Sequence, residues 1–279
     1  MASNAILYPT KNHPWLNGFG NIFSEVSHKW WGTRYWIIQV IIWMAIINGL
    51  LAVTVLSKPK VDPTQPPPTA ADMAAMKSTI ADVALQIFLN FSGLFAGVGV
   101  VVLAHDALIG EKRSGTAAWV LSKPLSRTAF ILAKMGADAI GILVTFVIVQ
   151  GVIAYFLIKI GLGISLPITS CLAAEGLVAM VLLFFLSLTY LLGAMSNARG
   201  LVLGLPMVLI FGYQLAIKVP VLVKIMPWNL VVDFPGSPAL AFALIKGQPL
   251  ATIAPIIGTA ILTIVLAAAA VWRFHREEF

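Results

Sequence analysis

The sequence predicts an all-α integral membrane protein of six transmembrane helices, and three observations carry that prediction. First, 59% of the 279 residues are hydrophobic and only 10% are charged, at a mean hydropathy of +0.94. A soluble domain carries roughly 25% charged residues, so this chain cannot cover a water-facing surface. Second, the apolar residues gather in runs of about 20, the length that crosses roughly 30 Å of hydrocarbon. Third, these runs are near-continuous, which suits helices that satisfy their backbone polar groups within one segment rather than an alternating barrel. The same composition excludes disorder. With Cys171 as the sole cysteine, no internal disulfide can form.

Residues 1–34 form a polar, tryptophan-rich arm without the short apolar core and small-residue cleavage site of a signal peptide. Within it, Ile22, Phe23, Val26 and Trp30 recur at helical spacing, with Glu25, His28 and Lys29 on the remaining face. That pattern predicts an interface helix lying flat on the membrane surface. The expected spans are Tyr35–Leu56, Val83–Ala104, Ala137–Ile158, Leu172–Met195, Leu201–Ile217 and Ile253–Val271. Residues 35–272 thus form one six-span domain, and residues 273–279 a short tail. No internal repeat is visible.

The connections differ in kind. Ser57–Thr79, with Pro63, Pro66, Pro67 and Pro68, reads as an extended linker. In the 105–136 segment, Ser114 can cap a short helix through about Leu121, Pro124 stops it, and Ser126 can cap the helix entering the third span. Trp119, Val120 and Leu121 give that short helix apolar content suited to docking a partner. Lys218–Leu250 is apolar and interrupted by Pro220, Pro227, Pro235, Pro238 and Pro249. There Ser237 reads as an N-cap, Pro238 as the first helical residue and Gly247 as the stop, giving a helix, Pro238–Lys246, too short to span.

Lysine and arginine choose the orientation. The termini, the 105–136 segment and the 196–200 turn hold Lys11, Lys29, Arg34, Lys112, Arg113, Lys123, Arg127, Lys134, Arg199, Arg273 and Arg276. The opposite loops hold Lys58, Lys60, Lys77, Lys159, Lys218, Lys224 and Lys246. Eleven against seven, with every arginine in the first set, places both termini in the cytoplasm of a cell or inner membrane. The net charge of +7 therefore reports topology and implies no nucleic acid.

Catalytic, cofactor and metal sites are not expected. Gly110 and Gly115 have Walker A spacing, but Thr116-Ala117 follow where a lysine and a hydroxyl are required. His13, His28, His105 and His275 form no metal-binding pair. Asp138, one turn after Lys134, reads as half of a neutralising pair. Inside the spans lie Gln39, Asn48, Gln86, Asn90, Gln150, Tyr213 and Gln214. They suit either interhelix hydrogen bonds or the lining of a translocation path.

The segment after the second span resembles the permeases of ABC-2-type transporters. The resemblance rests on Glu111, Gly115-Thr116, the apolar Ala117–Leu121, Ser122-Lys123-Pro124, Leu125-Ser126-Arg127 and the run to Lys134. His105–Gly110 and Pro227-Trp228-Asn229 also resemble the permease of nitrous oxide reductase maturation. The family resemblance implies a cytoplasmic coupling helix between spans two and three, carried by Glu111, Gly115, Thr116, Trp119, Val120, Leu121, Pro124 and Arg127, and an outer helical hairpin between spans five and six. It further implies a separate ABC ATPase, in two copies, that holds ATP and magnesium, and a second permease subunit, identical or paralogous. A passive membrane anchor and an intramembrane enzyme are the alternatives, and the second needs paired titratable groups that the spans lack.

Overall fold

The computed structural model describes residues 14–57, 68–122, 125–216, 218–277. Lys11, His13, Lys58, Lys60, Pro63, Pro66, Pro67, Lys123 and Pro124 lie outside them. Helix α1 (Phe19–Trp31) is followed by α2 (Tyr35–Leu56), α3 (Ala70–Ser114), α4 (Thr116–Leu121), α5 (Arg127–Leu162) and α6 (Ile168–Met195). Helices α7 (Arg199–Phe211), α8 (Tyr213–Ala216), α9 (Pro220–Ile225), α10 (Trp228–Val231) and α11 (Leu240–Ile245) precede α12 (Ala254–His275). Five of these, α2, α3, α5, α6 and α12, are long and apolar enough to cross a membrane.

The expected fifth span is shorter than its composition suggested. Pro206 sits inside α7 and the helix ends after 13 residues at Gly212, about 20 Å of rise against roughly 30 Å of hydrocarbon. The chain still passes from one end of the bundle to the other there. Arg199, at the start of α7, pairs with Asp106 at 2.8 Å. At that same end Arg127 donates to the His275 carbonyl at 2.9 Å, so α12 begins at the opposite end, and residues 199–253 must cover the distance.

Helix α3 outruns its apolar core. The 45-residue α3 is about 67 Å long, more than twice the roughly 30 Å of hydrocarbon that a span crosses. Its beginning overrides the expected linker: Thr69 accepts from the Asp72 amide at 3.2 Å while Asp72 accepts from the Thr69 amide at 2.9 Å. This capping box, followed by the alanine-rich Ala70–Ala75, starts the helix at Ala70, nine residues before Thr79. Ser126 caps α5 as expected, accepting from the Ala129 amide at 2.9 Å.

Helix α6 forms the core. Val181, Phe185 and Tyr190 are fully enclosed, and α6 packs along α12, α3 and α11. By contrast α2 leaves Ile37, Ile38, Ile41 and Ile42 exposed, as a lipid- or partner-facing helix must. Helices α2, α3 and α5 each contain a π-helical turn, at Met44–Asn48, Phe91–Phe95 and Leu143–Ile148. Such turns displace backbone hydrogen bonds. At the end of one, the Gln150 side-chain amide donates to the Thr145 carbonyl at 3.0 Å.

Between α7 and α12, Asn229 ties the chain together. Its amide donates to the Ser237 and Pro238 carbonyls at 3.2 and 3.3 Å, and its oxygen accepts from the Ser237 hydroxyl at 3.0 Å. Ser237 is therefore engaged with Asn229 and caps no helix. Asp233 accepts from the amide of Ala239 at 2.6 Å, Ala239 occupies the N-cap position without a side-chain cap, and the short helix runs Leu240–Ile245 rather than from Pro238. Gly247, at φ +65°, ends it as expected.

Candidate functional site

At the end of the bundle where Asn17 and Glu277 lie, α4 is held between two long helices. Gly115 makes the turn out of α3 at φ +73°, a conformation that a side chain disfavours. Helical periodicity then divides α4. Ala117 is buried and Val120 and Leu121 pack against the core, whereas Thr116 and Trp119, three residues apart, face outward and Trp119 is 63% exposed. Val120 and Leu121 thus serve the attachment of the knob, and its presented surface centres on Trp119. Ser114 supports the turn, its hydroxyl 2.8 Å from that of Thr116.

Ion pairs fix this segment to the rest of the bundle. Glu111, on α3, pairs with the buried Lys134 of α5, which also donates to the Ala107 carbonyl at 2.9 Å. Lys112 pairs with Glu277 at 3.0 Å, and Arg113 donates to the Asn197 carbonyl at 2.8 Å. Arg127 holds the carbonyls of His275 and Glu277, and the Phe130 and Phe274 rings stack at 5.4 Å. Glu111 and Arg127, expected to border a partner, are therefore engaged within the chain. The sheltered pairs of Glu111 with Lys134 and of Lys112 with Glu277 are screened less by salt than exposed ones.

The N-terminal helix α1 exists as predicted, but its apolar stripe is taken up by protein. Ile22, Val26 and Trp30 are buried and Phe23 half-buried as α1 lies along α5. Small residues on α5 permit the approach: a Cβ at Gly141 would lie 2.4 Å from the Trp30 ring, and Gly136 faces Phe23. The Trp30 indole N–H donates to Asp138 Oδ1 at 2.9 Å, and the enclosed Tyr190 hydroxyl donates to Asp138 Oδ2 at 2.6 Å. Asp138 thus joins α1, α5 and α6, while Lys134, its expected partner, turns to Glu111 on α3. Beside this junction a cavity of about 330 Å³ is lined by Lys29, Trp30, Glu111, Lys134 and Asp138.

The polar residues within the spans make the following contacts. Asn48 and Gln150 meet, with the Asn48 amide donating to Gln150 Oε1 at 2.7 Å across α2 and α5. Gln39 accepts from Trp43 at 3.1 Å and Asn90 donates to the Gln86 carbonyl at 2.8 Å, both within their own helices. Tyr213 and Gln214 lie at the α7–α8 break, where the Tyr213 ring meets Phe234 edge-on. Sequence reasoning missed the part played by Trp228, whose indole N–H donates to the Leu209 carbonyl at 3.0 Å. The proline-tryptophan pair after a broken helix was the signal for it.

The fold and this end of the molecule define a class: a multi-pass helical membrane protein with a short helix between its second and third long helices. The family described as ABC-2 family transporter protein matches residues 30–279, and the chain belongs to it. It is thus a transmembrane subunit of an ABC transporter, of a kind generally without catalytic activity. No curated protein matches the chain.

Proposed function

We propose that this chain couples ATP hydrolysis on a separate ABC ATPase to export, or to outward force transmission, across the cell or inner membrane. The carrying observation is α4. It is a six-residue helix joined through Gly115 to α3 and anchored by its inner face, so a push on Trp119 must move α3. Because Glu111 and Lys134 tie α3 to α5, both long helices follow. Trp119 and Thr116 form the docking face, and Glu111 and Arg127 hold it at a fixed attitude.

Two ATPase copies and a second permease subunit, identical or paralogous, complete the assembly, with ATP and magnesium on the ATPase. The exposed apolar faces of α2 and α12 offer area for lipid and for the second permease. Both termini and α4 face the cytoplasm on this reading, in agreement with the basic excess at that end. The test is purification of the full chain from its native membrane. A co-purifying polypeptide with an intact Walker A motif supports the proposal, and an assembly containing no ATPase overturns it.

A further inference from the structure

Two acidic residues fall inside the predicted spans, Asp138 and Glu175, and their surroundings differ. Asp138 has two donors. Glu175 has none that the structure shows: its Oε2 is buried without a hydrogen-bond partner. The carboxyl lies over Gly151 of α5, where a Cβ would be 2.6 Å from Oε1. It looks into a cleft of about 320 Å³ between α3, α5 and α6 whose other lining is apolar apart from Cys171 and the phenol of Tyr155, and the nearest cation, Lys159, lies over the Tyr155 ring at 5.8 Å and is not part of the lining. The rim carries Ile148, Val152 and Phe156 at successive helical turns of α5, with Ile168 and Leu172 of α6, each more than half exposed.

A buried polar group without a partner is costly, and an ionisable group at membrane depth marks a ligand path more often than a packing element. The missing partner must bring a donor on an apolar body, because besides Glu175 the lining offers only the Cys171 thiol and the Tyr155 hydroxyl, too few polar groups to hold a free cation with its water. We propose that this cleft binds a lipophilic amine dissolved in the membrane. Its ammonium donates to Glu175 and its hydrocarbon tail lies along the stripe of Ile148, Val152 and Phe156. Charge complementarity selects the headgroup and the apolar rim admits the ligand sideways from lipid. The inference does not rest on the partnership with an ATPase.

The test uses the full chain in lipid nanodiscs with a photoactivatable dodecylamine, compared with the trimethylammonium and fatty-alcohol analogues of equal length. The amine should label peptides covering 148–156 and 168–175 at least fivefold more than either analogue, and Glu175→Gln should remove that excess. Leu172→Trp, which fills the rim while keeping the carboxyl, should remove it too, and a monodisperse elution profile confirms that both variants fold. Equal labelling by the alcohol would mean that any lipid chain occupies the cleft, and overturns the proposal. So does retained labelling in Glu175→Gln, or absent labelling of a cleft covered by a second copy of the chain.

Discussion

Replacing Asp138 by leucine tests how α1 is tied to the membrane helices. The substitution leaves the Trp30 indole N–H and the Tyr190 hydroxyl without their acceptor, at sites now donating at 2.9 and 2.6 Å. Each stranded donor costs about 1–3 kcal/mol, so Asp138→Leu should destabilise by about 2–6 kcal/mol, offset by the carboxyl no longer taken from water. Tyr190→Phe removes a single bond and leaves Asp138 with Trp30. Its cost should lie between about 0.6 and 1.7 kcal/mol, the average and the largest value measured for interhelix bonds in a membrane protein. The double variant should then be less damaging than the sum of the singles, because the phenylalanine has no donor left to strand. Stability is read from denaturant unfolding in detergent, and detachment of α1 from faster proteolysis after Lys29. If Asp138→Leu unfolds like the parent and α1 stays protected, the junction is incidental and the reasoning fails.

Other consequences follow from particular contacts. Gly141→Leu drives a side chain into the Trp30 ring, where even a Cβ would lie at 2.4 Å, and should cost about 1–3 kcal/mol by overpacking and expose α1 to protease. Asn48→Ala should lower unfolding stability by about 0.6–1.7 kcal/mol, because its partner Gln150 keeps its bond to the Thr145 carbonyl. Gly115→Val places a branched residue at φ +73°, costing about 1–2 kcal/mol, and should disturb ATPase-coupled activity more than insertion. Paired Phe23→Asp and Val26→Asp changes put charge into the contact between α1 and α5. They should lower the yield of intact complex while the long helices stay inserted, as read by glycosylation or cysteine-accessibility mapping.

The parts of the fold legible in the sequence are those set by hydrophobic runs and local caps. Span lengths follow from apolar residue counts, and Ser126 and Gly247 act through their own neighbours. Helix ends were legible only where a stop residue stands. Asp106, Glu111, Lys112 and Arg113 are polar but continue a helix well, so α3 runs to Ser114 although its apolar core ends near Ala104. Amphipathic spacing in α1 shows that Ile22, Val26 and Trp30 need cover, but not that Gly136 and Gly141 supply room for it on α5. Asp138 shows the same limit: its donor Trp30 lies 108 residues away, and only tertiary packing overrides the local pairing with Lys134. The π-helical turns leave no periodic mark, since a single inserted residue alters the face without altering the composition. For α4, the sequence marked Trp119, Val120 and Leu121 alike. Only the attachment of its inner face separates Trp119 from the other two.

The central claim is that α4 is the seat of the ATPase, and crosslinking from position 119 tests it most directly. In a Cys171→Ser background, Trp119→Cys leaves a single thiol at the outward face of α4 in the complex purified from native membranes. The account predicts a disulfide or short bifunctional crosslink to a cysteine placed in the ATPase groove, formed before ATP is added and altered in yield on nucleotide binding. Labelling of that thiol by a lipid-phase reagent, with no ATPase crosslink, would contradict the account and place Trp119 at the membrane surface as an interfacial anchor.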